Sequence, residues 1–112
     1  VCLASDSTVM TCISNDFGFE QVFARQVVGL GRKGDALVAL TTSGKSKNVL
    51  LALQEAKTAG LMTIGLLGPP GSQAESLCDI AFTLSGVESS HVQEAHLLVI
   101  HLVLEHLDHV FG

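Results

Sequence analysis

The sequence predicts an α/β fold built on a parallel sheet, on three observations. Short apolar runs at 35–40, 61–67 and 80–84 alternate with helix-length segments, the order that builds a sheet covered by helices. Gly-, Pro- and hydroxyl-rich breaks such as Gly68-Pro69-Pro70-Gly71 punctuate them. The runs at 35–40 and 61–67 lack polar alternation, as strands buried on both faces do. With 112 residues, no internal repeat and no low-complexity segment, there is room for one core only.

Taken in order, residues 7–13 form a short helix that Ser5 or Asp6 can cap, broken by Asn15-Asp16-Phe17-Gly18. Residues 19–30 place Phe19, Val22, Phe23, Val27 and Leu30 at helical spacing, and Gly29 and Gly31 mark the end. The first strand, 35–40, runs into a polar loop at 41–47. Helix follows at 48–59, with Val49, Ala52, Leu53 and Ala56 on one stripe and Gly60 as its stop. A second strand at 61–67, a short helix at 72–78 and a third strand at 80–84 lead to a long final helix at 89–110.

Composition narrows the function classes. Hydrophobic residues make up 47% and charged ones 15%, which excludes a disordered tail. A chain this size buries only about two-thirds of its unfolded surface, so the apolar excess predicts sister subunits covering the remainder. Net charge is −5, with four Lys and two Arg, and no basic patch exists to neutralise phosphates along a nucleic acid. Cys2, Cys12 and Cys78 form no CxxC and leave one thiol unpaired, which fits a reducing, cytoplasmic compartment. No signal peptide or membrane span is expected: the longest apolar stretch, near 97–104, is interrupted by His101 and falls short of the ~20 residues a span needs. The opening Val1-Cys2-Leu3-Ala4 reads as the end of a buried strand, so a segment upstream is expected.

Two places carry chemistry. The first is the loop Thr41-Thr42-Ser43-Gly44-Lys45-Ser46, at the carboxyl end of a parallel strand, where open α/β sheets bind ligands. The helix behind it offers free N–H groups and the positive end of its dipole to an anion. Gly44 permits a left-handed turn, the hydroxyls of Thr41, Thr42, Ser43 and Ser46 can donate to phosphate oxygens, and Lys45 can add a point charge. The alternative is an ordinary connection in which Ser46 only caps the helix. The loop is not a nucleotide P-loop, since it lacks the leading Gly.

The second is the final helix. At ~100° per residue, Ala95, Val99, Leu102, Val103, Leu107 and Val110 fall on one arc, and Gln93, Glu94, His101, Glu105 and Asp108 on the other. Gln93 and His101 lie about 80° apart and ~12 Å along the axis, so two long side chains can converge on one ion, and both atom types suit zinc. Two ligands are not a site, and a helix-borne His is more often structural. His96 belongs to the apolar arc and reads as a hydrogen-bonded core residue; His106 and His109 read as solvent-exposed.

Together, the run Ser14-Asn15-Asp16-Phe17-Gly18-Phe19-Glu20-Gln21-Val22-Phe23-Ala24-Arg25-Gln26-Val27, the loop Thr41–Ser46 with Asn48-Val49, and the helix His91-Val92-Gln93-Glu94-Ala95-His96 with His101 resemble the sugar isomerase (SIS) domain family, and within it the phosphoheptose isomerases. The resemblance covers essentially the whole chain. It implies a Rossmann-like three-layer SIS domain, a homotetramer with sites at subunit boundaries, and interconversion of sedoheptulose 7-phosphate and D-glycero-D-manno-heptose 7-phosphate for lipopolysaccharide. It implies substrate contacts from Asn15, Asp16, Thr41, Thr42, Ser43, Ser46 and Gln93. One zinc per subunit would be held in part by Gln93 and His101.

The chain departs from the family pattern in three ways. Lys45 stands where Asn is common, and Ser90 where Asp or Thr is common. The family's N-terminal segment, with a Gly-Asn-Gly-Gly-Ser loop and a His and a Glu that complete the metal ligands and the catalytic carboxylate, is not in these 112 residues.

Ketose–aldose exchange needs a proton moved between adjacent carbons and another between their oxygens. His, with an unperturbed pKa of ~6.5, suits the shuttle. His101 is therefore expected as metal ligand first and acid/base second, with Gln93 beside it as the other catalytic candidate. With no strong carboxylate base present, these residues alone are expected to be inactive. The alternative, from another class, is a non-catalytic SIS regulator of the DnaA initiator-associating type. Such regulators tend to lack the later His, so His101 favours the enzyme.

Overall fold

Asp6 starts the first helix of the computed structural model, which describes all 112 residues. Its Oδ1 accepts from Thr8 N–H at 2.9 Å and Val9 N–H at 3.1 Å, satisfying donors that have no partner inside a helix. This helix, α1 (Ser7–Phe17), runs four residues beyond its expected end. The break falls at Gly18, whose φ of 91° side chains rarely adopt, so Asn15 and Asp16 lie in the last turn rather than in a loop. The single helix expected over 19–30 is divided. A 3₁₀ turn, Phe19–Gln21, precedes α2 (Ala24–Leu30), and between them Val22 is wholly buried.

Three parallel strands follow, β1 (Ala36–Thr41), β2 (Met62–Leu67) and β3 (Ile80–Phe82), in the order β1-β2-β3. Leu40 pairs with Leu66 and Thr41 with Leu67, so both carboxyl ends reach one edge together. Between β1 and β2 runs α3 (Lys47–Thr58), and a 3₁₀ turn, Glu75–Leu77, precedes β3 in place of the expected short helix. The apolar stripe of α3 behaves as its spacing requires: Leu50 and Leu53 pack with Ala39 and Leu67, while Ala52 and Ala56 meet Val27 and Leu61. These two clusters form the core on one face of the sheet.

The other face is covered only in part, with Leu66 buried and Ile64 half-buried. Val38 and Leu40 are 49% and 48% exposed, and Met62 and Ile80 are exposed beside them. The final helix, α4 (Ser89–Phe111), crosses only the carboxyl end of that face. It buries Val92 and His96, half-buries Ala95, Val99 and Ile100, and leaves every residue from His101 to its end exposed. The stripe that packs is therefore centred on Val92, His96 and Ile100, not on the arc through Leu102, Val103, Leu107 and Val110. No helix of the fold is long and apolar enough to cross a membrane.

Candidate functional site

At the carboxyl edge of β1, the loop leading into α3 and the first half of α4 line an open cavity of about 540 Å³. Leu40, Thr41, Thr42, Ser43 and Ser46 form one wall, and Gln93, His96, Leu97 and Ile100 form the other. Five of the residues singled out in the sequence thus meet in one place.

The loop is organised so that its hydroxyl hydrogens stay free. Thr41 Oγ1 accepts from Gly44 N–H at 3.2 Å, and Ser43 Oγ accepts from Lys45 N–H at 3.2 Å. Each bond uses an oxygen lone pair and leaves the O–H available as a donor. Thr42 and Ser46 hydroxyls bond to nothing in the chain. Ser46 stands at the N-cap of α3 with no side-chain capping bond, which argues against the reading that it only caps the helix.

Two glycines make this shape possible. Gly44 has a φ of 64°, in the region that excludes most side chains, and its carbonyl accepts from Ala74 N–H at 3.1 Å. Gly68, just past β2, lies against the loop so closely that a Cβ there would collide with the Thr42 carbonyl oxygen. In the first turn of α3, Val49 N–H donates to Asn48 Oδ1 at 2.9 Å and to the Ser46 carbonyl at 3.0 Å. The N–H groups of Lys47 and Asn48 have no partner inside the helix, and the dipole adds positive potential at this edge. Lys45 is exposed and does not line the cavity.

Across the cavity, the Gln93 amide has no partner within the chain and can both donate and accept. His96, expected as a satisfied core histidine, is one: it is 3% exposed, and its Nε2 lies 2.8 Å from the Leu67 carbonyl oxygen. It also forms part of the cavity wall, which the sequence reading missed. The signal was present in Gln93, His96, Leu97 and Ile100, whose i, i+3, i+4, i+7 spacing marks one helix face.

Three residues lie elsewhere. His101 is exposed and about 100° round the helix from Ile100, outside the arc that faces the cavity. Asn15 and Asp16 sit exposed on α1, where Asn15 Nδ2 donates to Asp16 Oδ1 at 3.0 Å. No three His, Cys, Asp or Glu side chains converge anywhere in the chain. The residues present therefore do not complete a zinc site, although Gln93 and His101 are of the right donor types.

Known proteins resemble this chain in both sequence and structure. Residues 1–68, containing β1, the hydroxyl loop, α3 and β2, match the SIS domain family. The phosphoheptose isomerase of a Nitratiruptor species is 45% identical over 111 residues, 99% of this chain and 59% of the relative. That of Helicobacter pylori is 40% identical over 112 residues, all of this chain and 58% of the relative.

Among solved structures, phosphoheptose isomerase GmhA from Neisseria gonorrhoeae superposes with a TM-score of 0.92 at 36% identity, over 96% of this chain and 60% of that one. A phosphoheptose isomerase from Francisella tularensis gives 0.89 at 33% identity, over 94% and 56%. This chain thus spans somewhat under three-fifths of the length of these two curated relatives. With a family match over more than half its length, the chain belongs to the SIS domain family.

Proposed function

We propose that the protein is a phosphoheptose isomerase, interconverting sedoheptulose 7-phosphate and D-glycero-D-manno-heptose 7-phosphate. The observation that carries this reading is the convergence of Thr41, Thr42, Ser43, Ser46 and Gln93 on one cavity, with four hydroxyl hydrogens free. The names of relatives at 40–45% identity support the choice of sugar.

In this reading the loop hydroxyls and the α3 N-terminus hold the phosphate, fixing the far end of the substrate so that the reacting carbons sit near Gln93. Isomerisation removes a proton from C1 and returns one to C2, while the O1 proton passes to O2. Gln93 can orient the two oxygens by donating to one and accepting from the other. No carboxylate of this chain lines the cavity, so the base for the carbon-bound proton is assigned to none of its residues.

Zinc belongs to the same proposal, with Gln93 and His101 as two ligands and the others from outside these residues; no step above depends on it. A homotetramer with sites at subunit boundaries is the arrangement in which Asn15 and Asp16 would act, each reaching a cavity from another copy. A cytoplasmic location and a place in lipopolysaccharide heptose supply complete the proposal.

The competing reading, a non-catalytic regulator of the DnaA initiator-associating type, draws on the position of His101 outside the cavity. Incubating the full-length natural protein with sedoheptulose 7-phosphate in D₂O decides between them. The isomerase reading expects aldose product carrying deuterium at C2 by NMR. Absence of product, together with capture of the replication initiator, would reverse it.

A further inference from the structure

His96 has two ring nitrogens, and the fold accounts for only one. The Leu67 carbonyl can only accept, so Nε2, 2.8 Å from it, carries the hydrogen. In the neutral ring Nδ1 is then a bare acceptor. Nδ1 has no hydrogen-bond partner in the chain, yet no side-chain nitrogen or oxygen of the fold is both sealed from solvent and unpartnered. The ring is 97% buried, being 3% exposed, and lines the cavity. Nδ1 thus keeps some accessible surface, on a ring that lines the same cavity as Gln93 and Thr41.

The opposite wall presents hydrogen-bond donors, the free hydroxyls of the loop, which match a phosphate. An acceptor facing them has no use for a phosphate dianion and would repel it, but it matches the O–H groups of a polyol. We propose that His96 is a positioning residue whose Nδ1 accepts a hydrogen bond from a hydroxyl of the bound sugar chain. Its Nε2–H, anchored on the end of β2, holds the ring at the required angle. This rests on the sugar-phosphate reading of the cavity and adds to it the element that separates a sugar phosphate from phosphate alone.

Two substitutions in the full-length protein divide the roles of the ring. His96→Gln reaches the Nε2 position and can keep the bond to Leu67, but removes the acceptor at Nδ1. His96→Asn places an amide near Nδ1 and loses the Leu67 bond. By calorimetry, His96→Gln should bind sedoheptulose 7-phosphate about tenfold more weakly, bind inorganic phosphate as the unaltered protein does, and keep its melting temperature. His96→Asn should melt earlier and retain more of the sugar-phosphate affinity. If His96→Gln binds the sugar phosphate normally, the inference falls while the reading of the cavity stands. If the unaltered protein binds neither ligand, both fall.

A measurement on the unaltered protein covers the case of a poorly folding variant. With ¹⁵N-labelled histidine, the His96 Nδ1 resonance should move upfield on adding sedoheptulose 7-phosphate and stay in place with inorganic phosphate. An unmoved resonance at saturating sugar phosphate would overturn the proposal.

Discussion

Ser46 occupies the first position of α3 that a Ser normally uses for capping, yet its hydroxyl caps nothing. Replacing a capping Ser by Ala usually costs about 1 kcal/mol, and here that cost should not appear. Ser46→Ala is expected to leave the unfolding free energy measured in urea within about 0.5 kcal/mol of the unaltered protein. It should still weaken phosphate and sugar-phosphate binding about tenfold, the size of a lost hydrogen bond to a charged group. A large loss of stability with unchanged binding would return Ser46 to a structural role. The sequence displayed the Thr and Ser cluster but not which hydroxyls stay free. That depends on Thr41 and Ser43 folding back as acceptors for Gly44 and Lys45 N–H.

At the scale of elements, β2 and β3 are joined by more than their ladder. Asp79 Oδ2 accepts from Thr63 N–H at 2.8 Å and lies 3.1 Å from Thr63 Oγ1, while Asp79 N–H donates to the same hydroxyl oxygen at 3.0 Å. The Thr63 backbone N–H, then its hydroxyl, hold the Asp79 carboxyl below the usual carboxylate range. Because the folded pKa is depressed, the contribution to stability is complete above the unfolded value of about 3.9. It is lost as pH falls through the lower folded value.

Asp79→Asn keeps an acceptor for Thr63 N–H but cannot titrate. Its urea midpoint should fall less than that of the unaltered protein as pH drops below about 4. Parallel curves across that range would remove this clamp from the account. Nothing in the residue spacing pairs Thr63 with Asp79, sixteen positions apart; the pairing exists because β3 lies beside β2.

At the scale of the molecule, surface is in excess. A compact monomer of 11.7 kDa exposes about 5,900 Å², whereas this chain exposes 7190 Å². The surplus is apolar in large part: Val38, Leu40, Met62 and Ile80 on the open sheet face, and Leu102, Val103, Leu107 and Val110 along α4. Patches of this kind mark interaction surfaces, and the proposed tetramer would place sister copies against them. Leu102→Asp with Leu107→Asp in the full-length protein should therefore shift sedimentation from tetramer to smaller species, with the secondary structure retained by circular dichroism. An unchanged tetramer would mean that the outer half of α4 is not its interface.

Read alone, the sequence determined the α/β class, the strand–helix order and the position of the hydroxyl loop at a strand's carboxyl end. Each of these follows from local periodicity and turn chemistry within a short stretch of chain. The bounds that slipped did so where a backbone angle decides, as at Gly18, which carries α1 on through Asn15 and Asp16. Only tertiary structure decided which face of α4 packs, because its apolar arc is wider than the stripe one sheet edge can cover. Contact with the end of β2 selects Val92, His96 and Ile100, brings Gln93 to the loop, and leaves His101 facing outward.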